Sequence, residues 1–241
     1  RTRSRFGKRG RIVVPSPLKE PENLIQIRGK TCLEAGLATK RDRETRNGFM
    51  LEVIELDIPE VKILRPKRHG DSRGFFSETY NKALLSDAGI DIDFVQDNHA
   101  YSAEKGTVRG LHYQTPPFAQ DKLVRVVRGA ILDIAVDLRQ GSPTYGKHVS
   151  SVISAENGDQ ILVPIGFAHG LVTLEAHTEV LYKVSHYYAP EHDRGIVWND
   201  PDLDIDWRIP EADAILSQKD QELPPFADAA SCFTYPEARE R

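Results

Sequence analysis

The sequence predicts an all-β domain over residues 50–241, a jelly-roll-like barrel of many short strands with a few short peripheral helices. Three observations carry this. From Leu51 onward apolar and polar residues alternate in short runs, the period of a half-buried strand. Gly, Pro, Asn and Asp separate the runs, as turn residues do between the strands of a sandwich or barrel. Beyond residue 50 no internal repeat and no low-complexity tract points to a solenoid or a linker. A chain of 241 residues is long enough for one such domain with an appendage and short for two full domains.

The appendage is residues 1–49. It carries Arg1, Arg3, Arg5, Lys8, Arg9 and Arg11, then Pro15, Pro17 and Pro21, with few aromatics and no sustained period. Its 13 Lys and Arg stand against 5 Asp and Glu, whereas the remainder holds 19 against 31, so a basic leader precedes an acidic core. Such a segment buries little apolar surface and reads as disordered. Three readings stay open: an upstream reading-frame artefact with Met50 as the true start, a solvated tail, or an Arg-rich targeting or nucleic-acid arm. Glu20, Glu22 and Glu34 dilute the last.

In chain order, residues 82–88, with Ala83, Leu84 and Leu85, are expected to form a short helix. Over 124–138, Val124, Val126, Ala130, Leu132, Ile134, Val136 and Leu138 share one parity, while Arg125, Asp133, Asp137 and Arg139 take the other. This predicts one long strand or a bent strand pair, interrupted near Gly129. In 178–188, Val180, Tyr182, Val184 and Tyr188 fall on one face, so the two tyrosines point together and Lys183 points away. A second helix is expected near 211–216. No stretch approaches the roughly 18–20 consecutive apolar residues of a membrane-spanning helix. The two cysteines, Cys32 and Cys232, suggest neither a disulfide framework nor a thiolate metal site, and a reducing, cytoplasmic setting is expected.

Residues 158–169 (GDQILVPIGFAH) resemble the second motif of cupins, in which Gly, Pro-x-Gly and His are spaced so that the His reaches the mouth of a small barrel. The first cupin motif would add a His-x-His pair and a Glu, but here His112 is followed by Tyr113 and Gln114. Two imidazoles without a carboxylate hold a divalent metal weakly, so the barrel is expected without a metal. A metal-dependent cupin, which would need a third ligand near His112 and His169, is the competing enzyme class. A non-catalytic sugar-nucleotide-binding module is the competing binding class.

Seven segments resemble the dTDP-4-dehydrorhamnose 3,5-epimerase family, in the family's order. They are residues 70–78 (GDSRGFFSE), 94–99 (FVQDNH), 108–114 (VRGLHYQ), 122–126 (KLVRV), 164–170 (PIGFAHG), 198–200 (WND) and 216–220 (LSQKD). The resemblance implies a cupin-type jelly roll that dimerises. It also implies epimerisation of carbons 3 and 5 of a dTDP-linked 4-keto-6-deoxy sugar in dTDP-rhamnose biosynthesis, with no cofactor and no metal.

Inversion beside a ketone removes a proton, passes through an enolate and returns a proton to the other face, which calls for a base, an opposing acid and positive charge at the carbonyl oxygen. By resemblance His112 is the base, Asp220 orients it, Lys122 stabilises the enolate oxygen and Tyr182 is the acid. The resemblance assigns substrate contacts to Arg73, Phe76, Glu78, Gln96, Asp97, Asn98, Arg109, Lys122, His169, Tyr188, Asp193 and Lys219, with Asp193 where the family usually has Glu. It implies that the segment from Arg73 to Glu78 crosses to a partner's pocket. Neither a nucleic acid nor a membrane is expected as a partner. Arg109 and His112 have opposite parity, so both reach one cavity only if Gly110 bulges or kinks the strand, or if Arg109 serves a strand end.

Overall fold

The computed structural model describes residues 50–229 and 232–235; the leader of residues 1–49 and Cys32 lie outside the described residues. The chain first forms β1 (Leu51–Glu55), β2 (Lys62–Pro66), a hairpin of β3 (His69–Asp71) and β4 (Gly74–Phe76), helix α1 (Lys82–Asp87) and β5 (Gln96–Ser102). Next come β6 (Val108–Gln114), β7 (Lys122–Arg128), β8 (Ala130–Asp137), β9 (Arg139–Gln140), β10 (His148–Ser154) and β11 (Gln160–Val163). Then β12 (Phe167–Thr173), β13 (Thr178–Val184), β14 (Asp193–Gly195), helix α2 (Gln218–Gln221) and β15 (Phe233–Thr234) follow.

Two antiparallel sheets make the body. One has the order β1-β2-β11-β7-β13-β5, the other β10-β8-β12-β6-β14. Between them lies a core drawn from both: Ile63, Val124, Val126, Ile161, Val163 and Val180 from the first, Ile131, Ala135, Ile153, Phe167 and Leu171 from the second. Strands non-adjacent in sequence are neighbours in both sheets, as in a jelly roll.

The outer faces are covered too. Leu132, Ile134 and Val136 of β8 pack outward beneath Trp198, Leu203, Trp207 and Phe233 from the C-terminal segment. Leu64, Leu123 and Leu162 pack outward beneath Leu85 of α1 and Ile90. Asn81 caps α1, its side chain accepting from the backbone N–H of Ala83 at 3.0 Å, which satisfies a donor the helix itself cannot.

Residues 124–138 are the bent strand pair of the two expected alternatives, β7 and β8 interrupted at Gly129, but their shared parity does not continue as one face. Gly129, at φ +76°, turns the chain from the first sheet into the second, and a Cβ there would sit 2.3 Å from Thr178 Oγ1. Before the turn the even-numbered Val124 and Val126 face the interior; after it the odd-numbered Ile131 and Ala135 do. β8 is buried along its whole length, so Asp133 and Asp137 are inside the protein and not on a solvent face. The expected helix at 211–216 is only a 3₁₀ turn over Glu211–Asp213. Ile215 is held extended, accepting from Val108 N–H at 2.9 Å and donating to Gly106 O at 2.9 Å, so its backbone is committed to strand-like pairing.

Candidate active site

Gly110 resolves the parity of Arg109 and His112. Along β12 the step from His169 to Leu171 spans two residues, whereas along β6 the matching step from His112 to Arg109 spans three. One extra residue on β6 is a bulge, and it turns both side chains toward one cavity. Gly110 has φ +126°, and a Cβ on it would meet Gly170 Cα at 2.6 Å, so only glycine on both strands allows this approach.

The cavity has two lobes. The inner lobe, of about 490 Å³, opens among Arg109, His112, Lys122, His169, Tyr182 and Asp220. The outer lobe, of about 350 Å³, is lined by Gln96, Asn98, Gln114, Tyr188, Asp193 and others. His112, Lys122, Tyr182 and Lys219 border both. His112 and His169 come from one sheet and Lys122 and Tyr182 from the other, so the four stand on opposing walls.

His112 Nε2 lies 2.5 Å from Asp220 Oδ1. Asp220 belongs to the four-residue α2, which Ser217 caps by accepting from Asp220 N–H at 3.1 Å and donating to Asp220 Oδ2 at 2.7 Å. Burial pushes the Asp220 carboxyl up, but hydrogen bonds from His112 and Ser217 prevail and hold it below the usual carboxylate value. With Nε2 engaged by the carboxylate, Nδ1 is the ring nitrogen left for a reacting proton.

Lys122 opens β7, and its Nζ donates to His112 O at 3.3 Å. Burial lowers its pKa to about 8, an effect that the charges of Asp133 and Asp193 partly oppose. Tyr182 stands on β13 opposite Val124 and Asn98. Burial, with Asp193 adding and Arg109 opposing, raises its phenol above the ordinary value, so it keeps its proton at neutral pH.

Around these, Arg109 donates to Tyr101 O at 3.1 Å and keeps its guanidinium at the inner lobe. Asp193 joins Lys219 in an ion pair and accepts from Tyr188 O–H at 3.1 Å. Gln96 donates to Asn98 Oδ1 at 2.8 Å. Asp97, between them, points to the opposite face of β5 by strand alternation and binds Lys183 at 2.8 Å, so it does not line the cavity. Arg73, Phe76 and Glu78 are also apart from it: the Arg73 side chain is 88% exposed and paired with Asp71, Phe76 is 67% exposed, and Glu78 accepts from Asn81 at 3.2 Å.

A family model described as dTDP-4-dehydrorhamnose 3,5-epimerase matches residues 55–228. The chain belongs to the dTDP-4-dehydrorhamnose 3,5-epimerase family. It is 51% identical over 181 residues to the dTDP-4-dehydrorhamnose 3,5-epimerase of Sinorhizobium fredii, covering 75% of this chain and 92% of that one. The crystal structure of the dTDP-4-dehydrorhamnose 3,5-epimerase from Bacillus anthracis, with TDP and pyrophosphate bound, matches with TM-score 0.71 and 50% identity, covering 73% of this chain and 99% of that chain. That of dTDP-6-deoxy-D-glucose-3,5-epimerase from Legionella pneumophila, in complex with dTDP-4-keto-L-rhamnose, matches with TM-score 0.73 and 42% identity, covering 77% and 99%. The fold is the cupin-type jelly roll of this epimerase family.

Sequence reasoning passed over three residues at this site, two that line the outer lobe and one buried behind His169. Asp133, fully buried on β8, receives His169 Nε2 on both oxygens at 3.0 and 2.9 Å. A carboxylate in the middle of an apolar strand was the available signal, since such a group is buried only with a partner. Gln114 bonds Phe118 O at 2.6 Å and Ala189 N–H at 2.7 Å, and Gln120 bonds His186 O at 2.7 Å, framing the outer lobe. Gln114 closes the family-like segment 108–114, which was a signal for it; the context of Gln120 carries none. Among the described residues no three His, Cys, Asp or Glu side chains converge as metal ligands.

Proposed function

We propose that this protein is a dTDP-4-dehydrorhamnose 3,5-epimerase: an isomerase that inverts carbons 3 and 5 of dTDP-4-dehydro-6-deoxy-D-glucose to give dTDP-4-dehydro-L-rhamnose in dTDP-rhamnose biosynthesis. The observation that carries this reading is the opposition of the His112–Asp220 pair to Lys122 and Tyr182 across one cavity. Each inversion moves a proton off a carbon and another onto it, so the oxidation state is unchanged and the chemistry calls for no redox cofactor.

His112 Nδ1 takes the proton next to the carbonyl, while Asp220 fixes the tautomer and stabilises the imidazolium. The Lys122 ammonium, desolvated by burial, faces the developing enolate oxygen. Tyr182 returns a proton from the other wall. Arg109 and Lys219 suit a diphosphate, and Gln96, Asn98, Tyr188 and Asp193 suit the nucleoside and sugar hydroxyls. His169 adds a ring to the sugar end. The exposed Arg73, Phe76 and Glu78 act in the pocket of a second copy in a homodimer; their distance from their own cavity supports this. The nucleotide-linked substrate and the unpaired, exposed Cys232 support a cytoplasmic setting.

Proton NMR in heavy water with the dTDP-4-keto sugar tests the reaction. Deuterium is expected at both carbons 3 and 5; incorporation at only one would make the protein a single-site epimerase. Mixing inactive Arg73→Ala and His112→Ala proteins tests the shared pocket. Partial recovery of turnover is expected, and none would show that each copy uses its own segment.

A further inference from the structure

The inner lobe has a patch, drawn from both sheets, with no hydrogen-bonding side chain. Ala100, Val124, Leu171 and Val180 line the same cavity as His112, Lys122, His169 and Tyr182. The arrangement follows from strand period: Val124, Leu171 and Val180 lie two residues from Lys122, His169 and Tyr182, and so point to the same side. Register places Tyr182 opposite Val124 and Asn98, with Val180 opposite Ala100 in the adjoining layer. The outer lobe instead presents Gln96, Asn98, Gln114, Gln120, Asp193 and Lys219. The inner lobe therefore carries an apolar patch beside its charged residues, whereas the outer lobe is mainly polar, and Lys122 and Tyr182 border both.

A 4-keto-6-deoxy sugar has a matching contrast. On one side of its carbonyl is carbon 3 with its hydroxyl, and on the other is carbon 5 with a methyl. Once the carbonyl oxygen meets Lys122, the polar outer lobe and the apolar patch receive one each. We infer that the patch of Ala100, Val124, Leu171 and Val180 holds the methyl on carbon 5, and that it is the element that selects 6-deoxy sugars over those bearing a hydroxyl at carbon 6. The inference rests on the epimerase reading above. A hydroxyl on this patch loses water and gains no partner, a cost that limits an apolar pocket to about 10- to 100-fold discrimination.

The test compares kcat/KM for solvent-deuterium incorporation into dTDP-4-dehydro-6-deoxy-D-glucose and into dTDP-4-dehydro-D-glucose, which differs by the carbon 6 hydroxyl. The 6-deoxy substrate is expected to win by about 10- to 100-fold. Val180→Thr and Val124→Thr keep the side-chain volume and add a hydroxyl, and each is expected to narrow the ratio about tenfold. Because the ratio is taken within one protein sample, loss of folded protein cancels. Val149→Thr, a buried core position that does not line the cavity, is expected to leave the ratio unchanged. Equal use of both substrates by the unmodified protein, or a ratio that neither patch variant alters, overturns the inference. So does a Val149→Thr ratio that narrows as much as theirs. No incorporation into either substrate by the unmodified protein defeats the epimerase reading itself, a distinguishable failure.

Discussion

His112 and His169 face each other across β6 and β12, and each has its Nε2 at an aspartate, yet the two pairs are held in different ways. His112 is partly open, with 28% of its side chain exposed, and its aspartate arrives from a separate short helix 108 residues along the chain. His169 is 10% exposed, and its aspartate, at 0%, sits on the neighbouring strand β8. The first pair reaches an open cavity with one ring nitrogen while a capped carboxylate orients the other. The second pair is fixed by sheet hydrogen bonding, and its carboxylate has no other hydrogen-bond partner among the described residues. Identical side chains are thus held differently, one open to the cavity and one locked within the sheet, which fits the proposed proton exchange at His112 alone.

The difference predicts unequal effects. His112→Ala is expected to lower turnover about 10⁴-fold, since it removes the proposed base. Asp220→Asn keeps the shape but favours the wrong tautomer and is expected to cost about 10³-fold, read as kcat at saturating substrate. If either variant kept full turnover, the proton-exchange role of the first pair would be lost.

Lys122→Met is expected to lower kcat about 10²-fold, the scale of one removed oxyanion partner. It also carries a pH signature. The folded lysine has a pKa of about 8 against 10.5 for an ordinary one. Between those values the unfolded chain binds more protons, so folding stability rises with pH across the window. Turnover, which uses the ammonium, falls as pH passes about 8. Thermal unfolding followed from pH 7 to 10 is expected to show that rise in the unmodified protein and to lose its Lys122 part in Lys122→Met.

Asp133→Asn is expected to have the smallest effect on turnover, about tenfold, the worth of one charge-assisted hydrogen bond. Its distinctive readout is the pH profile. The Asp133 charge raises the Lys122 pKa, so its loss is expected to move the alkaline limb of kcat to lower pH. A loss as large as that of Asp220→Asn would mean that both pairs exchange protons.

Much of the site was readable because the family-like segments run in order from residue 70 to residue 220, and His112, Lys122, Tyr182, Asp220, Arg109 and His169 all border the inner lobe. Tyr182 and Tyr188 both reach the outer lobe, but not by alternation along one strand: β13 ends at Val184, and Tyr188 lies beyond it, its backbone N–H donating to Gln96 Oε1 at 3.3 Å. Asp133 was not readable from alternation either. On β8 both faces are buried, so alternation no longer separates inside from outside.

By itself the sequence determined the strand-and-turn pattern, the first helix and the family, and through the family the residues proposed as the acid–base set. Only the tertiary structure decided which side of each strand meets the cavity. Periodicity fixes side-chain direction relative to neighbours within one regular strand, but a single inserted residue reverses it for everything downstream. The bulge at Gly110 brought Arg109 and His112 together, and the turn at Gly129 exchanged the faces of β8. Alternation itself sent Asp97 outward to Lys183. Asp220 needed long-range pairing as well: Ile215 docks against Val108 and Gly106, and that contact carries a carboxylate to a histidine 108 residues away.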